Sequence, residues 1–344
     1  MKILIISLAG AGDLLMATPL IKEIKLNYPT SKLDLLVMQG DITKDLVKNN
    51  PYINSIIYFN FIKEGLIRSL LFCKKLRKEK YDISITTYPQ ARYPYSIISF
   101  LIGAKKRVGF IYESQKIKLN KLFFTHTLKE DFSKHVVYNN LNVLVPLGLK
   151  QKTKNPHIIL NLDKENIKFS EDFFKKNKIK KAVVLHAGSG TTKNFILKRW
   201  PKENFAELAK KIFHEKGYKV ILVGGKEENS LKEEIIKLST LEKDKNIFNL
   251  NTDILNIAAI IKKCDYVVSN DTVISHIAAA LNKKVICLFG PTDYINTGPF
   301  TKNKIIICKR PKDIPSFKHG KRIPKKLAKY MDLITVKEVF DKIK

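Results

Sequence analysis

Cysteine and long apolar runs are both scarce in this chain. The four cysteines, Cys73, Cys264, Cys287 and Cys308, form no C-x-x-C pair, so the sequence offers neither a metal knuckle nor a thioredoxin-like site. A disulfide framework is not expected in a chain of 344 residues, and reduced cysteines indicate a cytoplasmic location. The best apolar stretch, residues 95–104, is about half of the roughly 18 residues that a membrane-spanning helix needs. We therefore expect no spanning helix.

Arginine is scarce as well, although the chain is strongly basic. Lysine and arginine number 63 against 32 acidic residues, a net charge of +31, but only 7 of the 63 are arginine. Proteins that read nucleic-acid sequence rely on arginine for bidentate contacts to guanine and phosphate, so such binding is only a minor alternative. Scattered lysines are sufficient for attraction to an anionic lipid surface, which is the partner that this charge favours.

Length and pattern indicate two α/β domains. At about 150 residues per domain, two domains are expected. Buried-strand patterns alternate with helical patterns in both halves, which predicts parallel sheets covered on both faces. The predicted strands are residues 2–8, 33–38, 81–87, 105–110, 181–187, 218–224, 265–269 and 284–290. The pattern is lost over residues 146–180, which we interpret as the linker. Two such domains predict a cleft that faces the carboxyl ends of both sheets.

Two predicted helices are amphipathic. Residues 62–79 alternate apolar side chains with Lys and Arg, which is typical of a helix with a basic face. A solvated surface helix is the favoured interpretation, and contact with a membrane is the alternative. Residues 334–344 predict a last amphipathic helix.

The first candidate loop, residues 9–13, follows the first predicted strand. Gly10 and Gly12 suggest a dinucleotide-binding turn, but Leu15 stands where the third glycine would fall, so an NAD-linked oxidoreductase is only an alternative. Asp13 lies at the start of the following helix. Its carboxylate could cap that helix or act as a general base, and both interpretations remain open.

Two further loops follow predicted strands in the second half. Gly188 and Ser189 would let backbone N–H groups approach a phosphate, with Lys198 as a diphosphate clamp at the next helix start. His186 ends a strand, where a core histidine is at least as frequent as a ligand. Glu227, in the loop 224–228, fits either a charge at a helix N-terminus or a contact to sugar hydroxyls.

The fourth loop is the most specific of the set. Asp271 and Thr272 stand at a strand-to-helix junction, and His276 lies about one turn into that helix. Polar groups at this position, next to a helix N-terminus, are typical of an anion-binding site.

Taken in order, these segments resemble a known family. GDLLMATPLIKEI (12–24), HAGSG with KRWP (186–201), SNDTVISHIAAAL (269–281) and LFGPTD (288–293) are similar to glycosyltransferase family 9. These are the ADP-heptose:lipopolysaccharide heptosyltransferases, which have the GT-B fold. The segments 103–110 and 334–343 also resemble the family, so the likeness spans nearly the whole chain.

The resemblance implies a role for each part. Residues 1–160 would form a Rossmann-like acceptor domain, with Asp13 as catalytic base beside the Gly10 and Gly12 loop. Residues 175–330 would form a Rossmann-like nucleotide-sugar domain, and the helix in 331–344 would pack back on the first domain. The residues implied on the donor side are Gly188, Ser189, Lys198 on the diphosphate, Glu227, Asp271 on the sugar, and Thr272 and His276 near the phosphates.

The expected function follows from this resemblance. The enzyme would transfer a sugar, expected to be heptose, from an ADP-sugar to a lipid-anchored, phosphorylated lipopolysaccharide core, with inversion. No D-x-D triplet occurs in the chain, so we expect no metal ion and no cofactor. The protein is expected to be a cytoplasmic monomer, peripherally associated with the anionic inner face of the inner membrane. An NAD-linked oxidoreductase and a nucleic-acid-binding protein remain the alternatives.

Overall fold

The computed structural model describes residues 1–38, 40–112, 120–316 and 322–344. Its contacts divide the chain into two compact units, Met1–Asn161 and Leu162–Lys344. Within the described residues, no helix has both the length and the hydrophobicity that crossing a bilayer requires. Each unit is a parallel sheet flanked by helices, as the sequence predicted.

The first unit is built on a sheet in the order β3-β2-β1-β4-β5-β6, and all its strand pairs are parallel. Its strands in the described residues are β1 (Lys2–Ser7), β2 (Lys32–Val37), β3 (Ser55–Tyr58), β4 (Ile83–Thr86), β5 (Lys106–Ile111) and β6 (His126–Lys129). Residues 3–7 of β1 are all buried because β1 lies inside the sheet and helices cover both faces. The strand order reverses between β1 and β4, which makes their carboxyl ends the topological switch point.

The helices of the first unit begin after the strands that they follow. They are α1 (Ala11–Asn27), α2 (Gly40–Val47), α3 (Gly65–Arg77), α4 (Tyr93–Ile102), α5 (Asn120–Phe123) and α6 (Val136–Leu141). Helix α1 begins at Ala11, three residues before Leu14, the first of its buried apolar side chains. The Gly10 N–H donates to Asp13 at 3.2 Å, which satisfies a donor that the first turn would leave without a partner.

The second unit repeats this topology, with the sheet order β12-β11-β10-β7-β8-β9 and parallel pairing throughout. Its strands in the described residues are β7 (Ala182–His186), β8 (Lys219–Leu222), β9 (Ile247–Asn249), β10 (Tyr266–Asn270), β11 (Lys284–Phe289) and β12 (Lys304–Cys308). The switch point of this sheet lies between β7 and β10. Both strands are completely buried.

The helices of the second unit are α7 (Lys164–Lys176), α8 (Lys202–Lys216), α9 (Asn229–Ser239), α10 (Ile254–Lys263), α11 (Val273–Ala280), α12 (Tyr294–Thr297), α13 (Lys329–Asp332) and α14 (Val336–Phe340). Helix α7 lies inside the segment 146–180 interpreted as the linker, and its residues 164–176 are part of the second unit. Asp163 caps α7 by accepting from the Asn166 N–H at 2.9 Å.

The last helix packs in the core of the second unit. Val336, Val339, Phe340 and Ile343 belong to the buried core of the second unit, together with residues of β7 and α8. The Trp200 indole N–H also donates to the Ile334 carbonyl at 2.9 Å. Because its apolar side chains are buried in the second core, residues 331–344 belong to the second unit. The expected packing of this helix on the first domain stays a prediction.

Candidate functional site

The predicted polar loops of the second unit meet at its switch point. The loop 187–190 follows β7 and the loop 271–272 follows β10, and these two strands are neighbours in the sheet. In open parallel sheets, ligands bind outside the carboxyl ends of the strands at the position where the order reverses. The topology therefore brings together residues that are more than 80 positions apart in sequence.

A buried amide holds these loops in place. Asn270, which ends β10, is fully buried and donates through Nδ2 to the carbonyls of Ala187 at 2.9 Å and Gly188 at 3.2 Å. Its Oδ1 accepts from the Trp200 N–H at 3.1 Å. Asn270 thus makes hydrogen bonds on both sides of its amide, and the loop after β7 keeps one conformation.

Lys198 and Asp271 form a buried ion pair at the same edge. Lys198 Nζ donates to Asp271 Oδ2 at 3.0 Å and to the Asp271 carbonyl at 2.7 Å, and it lies 4.7 Å from the centre of the Phe195 ring. The two side chains are only 13% and 9% exposed. Burial by itself would raise the pKa of the Asp271 carboxyl, but the positive charge of Lys198 holds that pKa below its usual value. The carboxylate is therefore ionised at neutral pH.

Ser189 is held by the residue that follows Lys198. Arg199 donates through Nε to Ser189 Oγ at 3.0 Å and through Nη2 to the Ser189 carbonyl at 2.8 Å. The Ser189 hydroxyl in turn donates to the Phe195 carbonyl at 2.9 Å. The guanidinium thus positions the small-residue loop and adds a second cation to this edge of the sheet.

A second buried pair lies beside the first. His186 Nε2 is 3.2 Å from Glu228 Oε2, and His186 Nδ1 is 3.0 Å from the Thr272 hydroxyl. Burial by itself would raise the pKa of Glu228, but the hydrogen bond and charge of His186 and the Gly225 N–H lower it. An ionised carboxylate only accepts hydrogen bonds, so Nε2 carries the proton that points at Glu228.

Gly188 lies against this carboxylate so closely that no other residue fits. A Cβ at position 188 would be 1.7 Å from Glu228 Oε1, which is far inside van der Waals contact. The glycine is therefore required by the position of Glu228, whatever ligand the loop binds.

His276 lies one turn into α11 and is buried, with 4% of its surface exposed. Burial lowers its pKa to about 4, and the opposing attraction of Asp271 is too weak to restore it. The ring is neutral at pH 7. Its Nδ1 makes no hydrogen bond to any residue that the structure describes. An unsatisfied nitrogen beside a helix N-terminus is suited to a polar ligand.

Glu227 does not join this group. Its side chain is exposed, whereas the neighbouring Glu228 is buried at the centre of the network. Sequence reasoning missed Glu228 because two adjacent carboxylates compete for one role. The spacing Gly225-x-x-Glu228 is that of a capping box, in which the third helical residue turns back to the cap N–H, here at 3.0 Å. That signal would have selected Glu228.

The first unit carries the other candidate residues at its own switch point. Asp13 is the third residue of α1, half-buried, and Gly10 and Gly12 flank it. Gln90, fully buried after β4, accepts from the Leu8 N–H at 2.6 Å and donates to the Ile6 carbonyl at 3.2 Å. Gln90 was not selected from the sequence, since an isolated glutamine in a loop carries no pattern.

The chemistry of the second-unit site is that of an anion site. Lys198 and Arg199 supply positive charge, and α11 directs its N-terminal backbone N–H groups to the same edge. Asp271 and Glu228 supply acceptors that suit hydroxyl groups. Among the described residues, no three His, Cys, Asp or Glu side chains are grouped to share a metal ion.

Comparisons with known proteins agree with this description. The sequence profile of glycosyltransferase family 9 (heptosyltransferase) matches residues 69–327, about three-quarters of the chain. A lipooligosaccharide heptosyltransferase 2 of Haemophilus ducreyi is 30% identical over 326 residues, covering 89% of this chain and 88% of that protein. The chain belongs to glycosyltransferase family 9. The resemblance identified from the sequence motifs is confirmed.

Solved structures show that this family 9 protein has the GT-B fold, as predicted. A family 9 glycosyltransferase from Veillonella parvula superimposes with a TM-score of 0.81 at 21% identity, covering 99% of this chain and 95% of that one. The structure titled E. coli ADP-heptose lps heptosyltransferase II gives a TM-score of 0.75 at 19% identity, with 99% and 97% covered. Family membership makes the protein a glycosyltransferase and removes the support for the oxidoreductase and nucleic-acid interpretations.

Proposed function

We propose that this glycosyltransferase transfers a heptose from ADP-heptose to a lipopolysaccharide core or a related lipid-linked oligosaccharide, with inversion at the anomeric carbon. The donor and acceptor are those named for the relatives described above. The observation that carries the proposal is the buried Lys198–Asp271 pair at the switch point of the second unit. It places a cation and a hydroxyl acceptor together beside the N-terminus of α11, as a sugar diphosphate requires.

The geometry of the second-unit site supports the following donor contacts. Lys198 and the backbone N–H groups of the loop with Gly188 and Ser189 neutralise the diphosphate, which is the leaving group. Asp271 accepts from sugar hydroxyls, and Thr272 and His276 lie on the phosphate side. His276, neutral at pH 7, acts as a hydrogen-bonding group there. On this geometry Glu228 replaces Glu227 as the second carboxylate near the donor.

Asp13 is the proposed general base. Its Oδ2 accepts from the Gly10 N–H at 3.2 Å, and the side chain is only half-buried at the carboxyl end of β1, where an acceptor hydroxyl can reach it. In the reaction, Asp13 removes the hydroxyl proton, the oxygen bonds to the anomeric carbon through an oxocarbenium-like state, and ADP leaves with the electron pair.

The proposal includes a requirement for neither metal nor cofactor, and a monomer at the cytoplasmic face of the inner membrane. Lys198, Arg199 and the helix N-terminus supply the charge that Mg²⁺ supplies in other transferases. Incubation with EDTA is therefore expected to leave transfer unchanged. Loss of activity that Mg²⁺ restores would contradict this part.

Nucleotide selectivity tests the proposal most directly. Thermal unfolding is measured with ADP, UDP, GDP, dTDP and reduced NAD in parallel. ADP at about 100 times its dissociation constant stabilises the fold by about 2.7 kcal/mol, and a nucleotide that does not bind leaves it unchanged. A larger shift with another diphosphate identifies a different donor, and a shift with NADH alone restores the oxidoreductase alternative. ADP release from ADP-heptose that depends on heptose-deficient lipopolysaccharide then tests the transfer itself.

A further inference from the structure

Helix α3 exposes an apolar surface that its own unit does not cover. We define the α3 ridge as Ile62, Leu66, Ile67, Leu70 and Leu71, which are 79, 75, 76, 44 and 61% exposed. Ile62 lies in the turn before α3, and the other four share one helix face, since residues three and four apart are neighbours there. Isolated exposed aliphatic residues are common on proteins, but five on one surface mark a contact site.

The opposite face of α3 already anchors the helix. Cys73 and Leu76 are buried in the core of the first unit. Phe72 stacks on Phe59, with ring centres 4.0 Å apart and planes 10° apart, and it meets the edge of Phe61 at 5.8 Å. The helix therefore packs without the ridge, and the ridge residues are not needed to form the core.

Basic residues surround the ridge. Residues 62–80 contain seven lysines and arginines against two glutamates, a net charge of +5. Lys63 follows Ile62 at the N-terminal end of the ridge. Lys74 and Lys78 continue its helix face beyond Leu70, and all three lysines are exposed. Glu64, one of the two glutamates, forms an ion pair with Arg68 at 2.9 Å. The ridge thus lies between lysines at both ends.

The combination of exposed aliphatic side chains and lysines indicates which partner binds the ridge. An aliphatic stripe with lysines at its borders is the pattern of a helix that lies in the headgroup region of an anionic bilayer. A second copy of this chain would bring a net +5 against a net +5, which opposes association through the ridge. Helix α3 has 13 residues, too few to span a membrane, so it would lie parallel to the surface.

We infer that the α3 ridge is the surface by which this protein docks on an anionic phospholipid bilayer, with its aliphatic side chains among the acyl-chain ends and its lysines on lipid phosphates. The inference rests on the proposed function in one respect: a lipid-linked acceptor requires the enzyme at a membrane. Helix α4, which packs on α3, adds Ile97 and Phe100 to the exposed apolar surface of this unit, and α5 adds Leu122.

Vesicle sedimentation tests the inference. The full chain is mixed with vesicles of phosphatidylglycerol and phosphatidylcholine in equal parts, and separately with pure phosphatidylcholine. We expect binding to the first and not to the second, and weaker binding at high ionic strength. The combined variant Ile62→Gln, Leu66→Gln, Ile67→Gln should bind at least about tenfold more weakly, with an unchanged melting temperature because these side chains are exposed.

Two matched variants distinguish the ridge from general properties of the surface. Val145→Gln with Leu238→Gln and Leu333→Gln removes three exposed aliphatics elsewhere and should stay within about twofold of the parent. Lys63→Gln with Lys74→Gln and Lys78→Gln should weaken binding by about fivefold per lysine at low salt. The same change at three exposed lysines of α7, Lys164, Lys175 and Lys176, should cost clearly less.

Three outcomes would overturn the inference. They are equal vesicle binding by the ridge variant and the parent, absence of binding to the anionic vesicles, and a dimer in sedimentation equilibrium that the ridge variant abolishes. The last outcome would assign the ridge to a second copy of the chain. Because the vesicles contain neither ADP-sugar nor acceptor, a negative result leaves the transfer reaction standing. Failure of transfer in the ADP-release assay likewise leaves vesicle binding unaffected.

Discussion

The switch points of the two units are built on one plan but differ in their charges. Each has a fully buried amide that is hydrogen-bonded to the loop after the first strand of its unit. In the first unit this amide is Gln90, which follows β4 and bonds to the loop after β1. In the second unit it is Asn270, which ends β10 and bonds to the loop after β7. In both units a glycine is followed three residues later by a carboxylate that accepts its N–H, Asp13 at 3.2 Å and Glu228 at 3.0 Å. The second unit adds the buried Lys198–Asp271 pair.

This difference indicates a division of labour within one topology. Paired, buried charges are oriented before a ligand arrives, so they bind a charged group with little reorganisation. A half-buried carboxylate is more accessible to an acceptor hydroxyl than a buried one. The paired charges of the second unit suit the binding of a sugar diphosphate, and the half-buried carboxylate of the first unit suits proton removal. This difference is the basis of the four predictions below.

The largest effect is expected at the first switch point. Asp13→Asn keeps an oxygen for the Gly10 N–H, so the fold and ADP affinity should be nearly unchanged, while the transfer rate falls by about 10² to 10⁴. The rate is measured by ADP release with saturating donor, and folding by circular dichroism. A fall of less than about tenfold in a folded protein would remove Asp13 as the base.

Substitution of the two buried amides, Gln90 and Asn270, should lower the free energy of unfolding by similar amounts but should affect ADP binding differently. Gln90→Ala and Asn270→Ala each leave several buried backbone groups without partners, which costs roughly 2–4 kcal/mol in urea unfolding. Only Asn270→Ala should also weaken ADP binding, since it frees the loop with Gly188. Asn161→Ala, at an exposed amide that donates to the Asn49 carbonyl, is the control. Equal ADP affinity in both variants would show that the two buried amides have only a structural role.

A substitution at Lys198 distinguishes binding of the diphosphate from a purely structural role in the ion pair with Asp271. Lys198→Ala should weaken ADP binding by about 10- to 150-fold, the value of a charge-assisted hydrogen bond, and AMP binding much less, because AMP lacks the second phosphate. Lys202→Ala removes an exposed lysine paired with Glu234 and should change neither affinity. Equal losses for AMP and ADP would mean that Lys198 supports only Asp271.

The smallest effect concerns pH. The pKa of His276 is about 4 in the folded protein and near 6.5 when unfolded, so the unfolded chain binds the additional proton first as pH falls. Stability is therefore complete above pH 6.5 and declines toward pH 4, by about 1 kcal/mol between pH 6.5 and 5.5. In urea unfolding, the His276→Asn variant should lose this decrease of the unfolding free energy with falling pH. The variant His157→Asn, at an exposed histidine, should keep it. An unchanged slope in His276→Asn would place the titration elsewhere.

Much of the scaffold could be predicted from local pattern. Strands such as β1 and β10 are continuous apolar runs because both faces of each sheet are covered, and the same runs identify them in the sequence. Helix α7 was not predicted because its many lysines and asparagines leave only a short apolar face, which gives a weak periodic pattern. Asp163 and Asn166 nevertheless have the spacing of a capping box. The family could also be identified, since its motifs lie in the loops that the strands position.

The sequence by itself determined the four inner strands of each sheet and which loops carry polar residues, because these depend on periodicity over a few neighbouring positions. The short edge strands β3, β6, β9 and β12 were not predicted. Only the tertiary structure decided that the last helix packs in the second unit and that Lys198 meets Asp271, 73 positions away. Such contacts depend on which strands become neighbours at a switch point. Strand order is set by the packing of the whole sheet, and no local pattern records it.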